Sequence, residues 1–242
     1  MGEAGNGSVF VPIARIQNGF SGKFGIPRQS GMVDGVVSRV VFEPGYRDPN
    51  AFRGLSEYSH IWLLWEFSEN RGKAWSPTVK PPRLGGNTRI GVFATRSPFR
   101  PNPIGLSCVR LVDVREEKGC GTVLLVAGAD LMDGTPIYDV KPYLAYTDSH
   151  QDARGGFADR VREHRLNVHF PVELQKILKE EYVPAVCGIL AGDPRPAYQS
   201  DEERVYGVEY AGYDIRFRVA GSELTVCEVV QAGDARKRGS VR

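Results

Sequence analysis

Short runs of β-branched and aromatic residues recur through the first part of the chain, each bounded by glycine, proline or asparagine. Val36–Phe42, His60–Phe67, Arg89–Thr95, Ile104–Val114, Thr122–Ala127 and Pro136–Tyr143 have this character and are predicted to be strands. The continuous apolar run Ile61–Trp65 predicts a central strand buried on both faces, whereas Leu111–Val114 mixes polarity as a half-exposed strand would. Gly119-Cys120-Gly121 fits a hairpin turn. One short helix is expected after Asp48, an N-cap residue followed by Pro49, with Phe52 and Leu55 on one face. Residues 9–146 are therefore expected to close into a β-barrel.

Beyond Tyr146 the pattern changes. Residues 147–169 are polar and carry Gly155-Gly156, which predicts a linker or exposed loop. Pro171 opens a predicted helix with Leu174, Ile177 and Leu178 at helical spacing. Arg204–Tyr210, Tyr213–Val219 and Glu223–Val230 then alternate as a three-strand meander with Ala-Gly turns. This makes residues 170–232 a small α+β domain. The basic, apolar-poor residues 233–242 are expected to be a disordered tail. The predicted class is mainly β, with an N-terminal β-barrel and a smaller α+β domain after it.

Composition narrows the field. The 28 glycines and 16 prolines in 242 residues suit many short strands better than long helices. No apolar run has the length of a membrane span, and the four cysteines lie apart without companion histidines, so neither a membrane nor a metal is expected as a partner. Met1–Ser8 lacks the basic-then-apolar order of a secretory signal, and a cytoplasmic location with reduced thiols follows as the expectation.

Net charge, +2 from 31 basic and 29 acidic residues, points to no anionic partner until it is divided along the chain. Arg71, Lys73, Lys80, Arg83, Arg89, Arg96, Arg100 and Arg110 fall in a stretch with no aspartate or glutamate, which leaves 23 basic residues against 29 acidic elsewhere. The segment is either a solvated face whose counter-charges come from other parts of the fold or an anion-binding surface. Trp75, Phe93 and Phe99, interleaved with the cations, suit phosphate contacts and base stacking.

Several loops carry candidate chemistry. Arg83 precedes the paired glycines Gly85-Gly86, which make either a tight turn or an anion-binding backbone. Ala94–Gly105 places Arg96 and Arg100 four apart and Asn102 between prolines, a stiff loop that costs little entropy to order on a ligand. Pro27-Arg28-Gln29 is a second proline-stiffened loop. In Pro136–Tyr143, Asp139 and Lys141 share one strand face and form either a surface ion pair or, with Tyr143, a group for proton transfer. There is no G-x-G-x-x-G after a strand, no Walker loop and no G-x-S-x-G, which disfavours Rossmann enzymes, P-loop NTPases and α/β-hydrolases.

Pro27-Arg28-Gln29, Arg53–His60, Pro81–Asn87, Gly91–Ser107 and Asp130–Tyr143, in this order, resemble the TsaA-like family of tRNA methyltransferases, which methylate N6-threonylcarbamoyladenosine beside the anticodon. Asp193–Tyr198 resembles a segment of the family's C-terminal domain. The resemblance implies a non-Rossmann β-barrel enzyme that uses S-adenosylmethionine, forms a homodimer and holds tRNA partly through its C-terminal domain. It implies cofactor contacts from Pro27, Arg28, Gln29, Arg96, Leu106, Asp130, Leu131, Met132, Asp133 and Gly134. Arg28 and Arg96 suit the cofactor's carboxylate, Asp130 or Asp133 its ammonium or ribose, and Leu106 its adenine. Arg83, Arg89, Arg100, Asn102 and Arg195 are the expected RNA contacts, and Asp139, Lys141 and Tyr143 the expected catalytic group. Val140 stands where isoleucine is common in the family. The alternative is a non-catalytic RNA- or nucleotide-binding module.

Overall fold

A computed structural model describes residues 9–81, 84, 88–161, 165–195 and 201–233. Arg83, the Gly85-Gly86 pair, His164 and the tail from residue 234 lie outside them. The strands are β1 (Ala14–Gln17), β2 (Val37–Phe42), β3 (His60–Glu66), β4 (Thr78–Val79), β5 (Ile90–Gly91), β6 (Ile104–Glu117), β7 (Gly121–Ala127), β8 (Pro136–Pro142), β9 (Asn167–His169), β10 (Tyr206–Tyr210), β11 (Tyr213–Ala220) and β12 (Glu223–Gln231). Among the described residues three α-helices join them: α1 (Ala145–Asp148), α2 (Val172–Gln175) and α3 (Val183–Ala191).

Six strands close into a barrel in the order β1-β2-β7-β6-β3-β8, and every neighbouring pair is antiparallel. Its interior is filled by alternating residues such as Ile16, Val40, Ile61, Leu63, Val109, Leu124 and Ile137. β3 is central in pairing but not buried on both faces. Ile61, Leu63 and Trp65 point inward while Trp62 and Leu64 are half-buried outside, because a small barrel has one packed interior and its outer face is only partly covered here. The Gly119–Gly121 turn is as expected, with φ of +82° and +71° at its two glycines.

Other expectations need correction. Arg89–Thr95 keeps only Ile90–Gly91 as strand; Val92–Ala94 is a 3-10 turn whose Val92 is buried. The helix after Asp48 is likewise a 3-10 turn, Pro49–Phe52, although the Asp48 carboxylate caps it as predicted by accepting from the Asn50 N–H at 2.9 Å. Regular structure after Pro171 stops at Gln175, and Ile177 is exposed. Neither β1, β9 nor α3 is apparent from periodicity. α3 is apolar nearly all round, so it has no stripe to detect. The end of the expected linker forms β9, which pairs parallel to β12 in the sheet β10-β11-β12-β9.

The boundary between the two cores departs most from the sequence picture. The loop joining β1 to β2 lies early in the barrel sequence, yet its Phe20 and Val33, and Val36 beside β2, belong to the C-terminal core with Val186, Ile189, Val208 and Phe217. The approach is close. A Cβ on Gly35 would sit 2.8 Å from the Ala185 amide nitrogen on α3, and Gly25, at φ +90°, faces Val208 with no room for a side chain. The C-terminal domain thus carries the loop that contains Pro27-Arg28-Gln29.

Candidate functional site

At one end of the barrel the chain leaves β1, β3 and β7 and enters β6 and β8, and loops from these junctions enclose a cleft of about 550 Å³. Ligand pockets commonly measure roughly 300–1,000 Å³. The walls come from Ile26–Gln29 of the β1–β2 loop, Trp65–Asn70 at and beyond the end of β3, Thr95, Arg96, Pro98 and Arg100 before β6, Ile104–Leu106 at the start of β6, and Asp130, Met132 and Thr135 after β7. Most of the acid-free basic segment, residues 71–103, lies in the excursion between β3 and β6, and Arg110 is on β6. Among the described residues, Arg71 is its one cation in an ion pair.

Of the expected cofactor residues, Pro27, Arg28, Gln29, Arg96, Leu106, Asp130 and Met132 line the cleft. Arg96 Nη1 donates to Gln29 Oε1 at 2.5 Å, which joins the two proline-stiffened loops across its mouth. Leu131 is fully buried in the barrel core, and its carbonyl accepts from Asn18. Asp133 accepts from the Asn18 N–H, and Gly134 adopts φ +76° and bonds the Ile16 carbonyl, so these residues shape the turn that aims Asp130.

Asp130 is the chemically loaded group. Trp65 Nε1 donates to Ser107 Oγ at 2.9 Å, and Ser107 Oγ donates to Asp130 Oδ1 at 2.5 Å, a chain running from the barrel interior to the cleft wall. Burial pushes the Asp130 carboxyl above the usual aspartate range, against the Ser107 hydrogen bond and the Arg96 charge that pull it down. A carboxylate so placed favours a cationic ligand group, which would relieve its desolvation.

Sequence reasoning missed Glu66, a second carboxylate on the cleft. Its side chain is 8% exposed; Arg71 Nε donates to Oε1 at 2.7 Å, Arg71 Nη2 donates to Oε2, and the Tyr138 hydroxyl donates to Oε2 at 2.7 Å. Arg71's hydrogen bonds hold this carboxyl below the usual glutamate range in spite of burial. The available signal was a charged residue ending the apolar run of β3, with an arginine five residues on.

Asp139, Lys141 and Tyr143 do not line the cleft but adjoin it. Leu64 pairs with Leu106 on one side and Asp139 on the other, so Leu106 and Asp139 share a row on the outer barrel face. Two strand spacings separate them, about 10 Å. Trp62 likewise lies between Cys108 and Lys141, and the Tyr143 ring rests 5.8 Å from the Trp62 ring. Lys141 Nζ is 2.9 Å from Asp139 Oδ2. Asp148 fixes the arrangement by accepting from Trp62 Nε1 and the Leu144 N–H, both at 2.9 Å.

Among the expected RNA contacts, Arg89 and Asn102 are exposed; Arg89 donates to Thr78 Oγ1 at 2.7 Å. Arg100 lines the cleft and donates to the Val92 and Thr95 carbonyls at 3.1 and 2.6 Å, while its guanidinium lies over the Phe93 ring. The Arg195 side chain is 13% exposed and bound to Asp193. No group of histidine, cysteine and carboxylate side chains among the described residues could hold a metal ion, and no described helix is long and apolar enough to cross a membrane.

The profile of the tRNA-methyltransferase O N-terminal domain matches residues 15–149, and that of the TrmO C-terminal domain matches residues 163–232. The chain is 41% identical over 229 residues to the tRNA (adenine(37)-N6)-methyltransferase of Escherichia coli, covering 90% of this chain and 97% of the relative. It is 34% identical over 160 residues to a probable S-adenosyl-L-methionine-binding protein of Pyrococcus abyssi, covering 66% and 78%. The crystal structure of TrmO from Pseudomonas aeruginosa superposes with a TM-score of 0.75 at 32% identity, covering 93% of this chain and 97% of that one. Barrel, C-terminal domain and the loops around the cleft all lie within these matches: the chain belongs to the TrmO family.

Proposed function

We propose that the chain transfers a methyl group from S-adenosylmethionine to N6 of the modified adenosine at position 37 of tRNA, the base carrying an N6-threonylcarbamoyl group. One observation carries the reading: Arg28 and Arg96 share a largely apolar cleft with the half-buried carboxylate of Asp130. An α-amino acid joined to a nucleoside needs those three surfaces together. The arginines suit its carboxylate, Asp130 its ammonium, and Leu106 with Trp62 an apolar wall for its adenine. A groove that only gripped RNA phosphates would gain nothing from the Asp130 carboxylate on its wall, which repels them.

When bound, S-adenosylmethionine supplies an electrophilic methyl group whose sulfur leaves as a neutral thioether. The chain's part is to align the acceptor and remove its proton. The acceptor nitrogen is a weak nucleophile because its lone pair is delocalised into the purine and the carbamoyl carbonyl. Asp139 or Tyr143, on the outer face beside the cleft, takes the proton directly or through water as the nitrogen–carbon bond forms. Lys141 fixes the orientation of the Asp139 carboxylate. Phe93, Phe99, Ile104 and Leu106 are exposed around the cleft, and a homodimer that covers them would complete the site. Arg89, Asn102 and the remaining cations of the basic excursion face the tRNA backbone, and the setting is the cytoplasm, where tRNA resides.

Incubation of the purified protein with methyl-labelled S-adenosylmethionine and tRNA tests the reading. Label is expected in tRNA bearing the threonylcarbamoyl group and absent from tRNA lacking it. Label in neither would leave only the binding-module alternative.

A further inference from the structure

We propose that the Asp193–Arg195 turn, at the end of α3 in the C-terminal domain, is a positioning device that holds Arg28 at the rim of the cofactor cleft. The inference rests on the reading of that cleft as the S-adenosylmethionine site. Arg28 Nη2 donates to the Asp193 carbonyl at 3.1 Å and to the Arg195 carbonyl at 3.4 Å, contacts that cross more than 160 residues of sequence. Two carbonyls converge on one nitrogen only if the turn between them is sharply bent. Asp193 supplies the bend: among the described residues it is one of two non-glycine positions at positive φ, +52°, and it is buried.

A strained residue persists only when its surroundings over-determine it. Arg195 does this by donating Nε to Asp193 Oδ1 at 2.9 Å and Nη2 to Oδ2 at 3.0 Å, a two-pronged pair whose side chains are 13% and 12% exposed. The Arg195 N–H also donates to Oδ1, at 3.3 Å, and its guanidinium lies 5.9 Å over the Tyr206 ring in the C-terminal core. The pairing has an electrostatic consequence as well. Arg195 sets a positive charge against the Asp193 carboxylate, which offsets the cost of burying that carboxylate within the turn. Arg28, with Lys23, Ile26 and Pro27, lines both the main cleft and a second cavity of about 210 Å³ against the C-terminal domain. Together with the packing of the β1–β2 loop on the C-terminal core, this makes the second domain part of the cofactor site. Arg195 is then a positioning residue rather than an RNA contact.

The full chain tests this with Arg195→Gln, Arg28→Ala and the double variant, each measured for S-adenosylmethionine affinity, for tRNA affinity, and for KM and kcat. Arg195→Gln is expected to raise the cofactor Kd and KM about tenfold, the loss of one charge-assisted hydrogen bond, with tRNA affinity and kcat at saturation unchanged. The double variant should bind the cofactor no worse than Arg28→Ala alone, since Arg195 acts through Arg28. Weaker tRNA binding at normal cofactor affinity would overturn the proposal in favour of an RNA contact, and additive losses would overturn the route through Arg28. If Arg28→Ala itself leaves cofactor affinity intact, the cleft reading fails and takes the proposal with it. Should Arg195→Gln not fold, Arg195→Lys keeps the charge, loses the two-pronged geometry, and must show the same selective rise in cofactor KM.

Discussion

Replacing Asp130 by asparagine separates what this residue does for the fold from what it does for the ligand. The asparagine oxygen can still accept from Ser107 Oγ, so the Trp65–Ser107 chain survives and only the charge is lost. A hydrogen bond to a charged group contributes about 1.5–3 kcal/mol, so loss of the Asp130–ammonium contact should raise the S-adenosylmethionine Kd roughly tenfold to 150-fold. The apo fold should gain instead. Burial raises the Asp130 carboxyl above its usual 3.8, so the folded state favours the neutral acid. That preference stabilises fully below 3.8 and is lost as pH rises through the folded-state value. An uncharged amide at this position escapes the loss, and the variant should become more stable than wild type as pH climbs from about 4 to 7. Cofactor affinity in the wild type should rise over the same window while the variant's stays flat. Titration calorimetry and thermal melting across that range provide both readings. Weaker binding without a stability gain would refute the burial argument; a gain with unchanged affinity would refute the ammonium assignment.

Three further outcomes follow from the same geometry. Arg71→Ala removes the group that holds the buried Glu66 carboxyl below its usual value of 4.5, so stability present above that value is lost. Its melting temperature should fall below wild type at pH 7, and the difference should shrink as pH drops below 4.5; a constant deficit would contradict the assignment. Gly35→Ala, at a position that does not line the cleft, pushes a Cβ against the α3 backbone, costing about 1–3 kcal/mol by overpacking and also weakening S-adenosylmethionine binding through the displaced β1–β2 loop. Denaturant midpoints together with cofactor titration show whether both losses occur. Among Asp139→Asn, Lys141→Ala and Tyr143→Phe, at least one should slow single-turnover methyl transfer about 10²-fold or more at saturating tRNA. Wild-type rates in all three would place the proton acceptor elsewhere.

Local signals made the barrel legible. The β-branched content of β2 and β7, the glycine turn between β6 and β7, and the boundaries of β8 were open to pattern reading because composition and turn residues mark each of them locally. β1 and β9 were not, since strands of four and three residues carry too little alternation to register. Helix α3 was hidden by burial on nearly all sides, and Val92–Ala94 by β-type residues held in a tight turn. In the site, the stiff loops drew attention to Arg28 and Arg96, while Leu106 and Asp130 came only with the family resemblance. Glu66 was missed because the apolar run around it read as core alone. The role of the C-terminal domain in carrying the β1–β2 loop could not be read at all. It depends on Phe20 and Val33 choosing the distant core over the near one, a choice made by tertiary packing.

Nucleoside mass spectrometry of tRNA bearing N6-threonylcarbamoyladenosine, after incubation with the purified protein and S-adenosylmethionine, tests the central claim most directly. The threonylcarbamoyladenosine of position 37 is expected to gain the mass of one methyl group in place of a hydrogen, on N6, with every other nucleoside unchanged. An unmodified position 37, or a methyl group at another base, would contradict it.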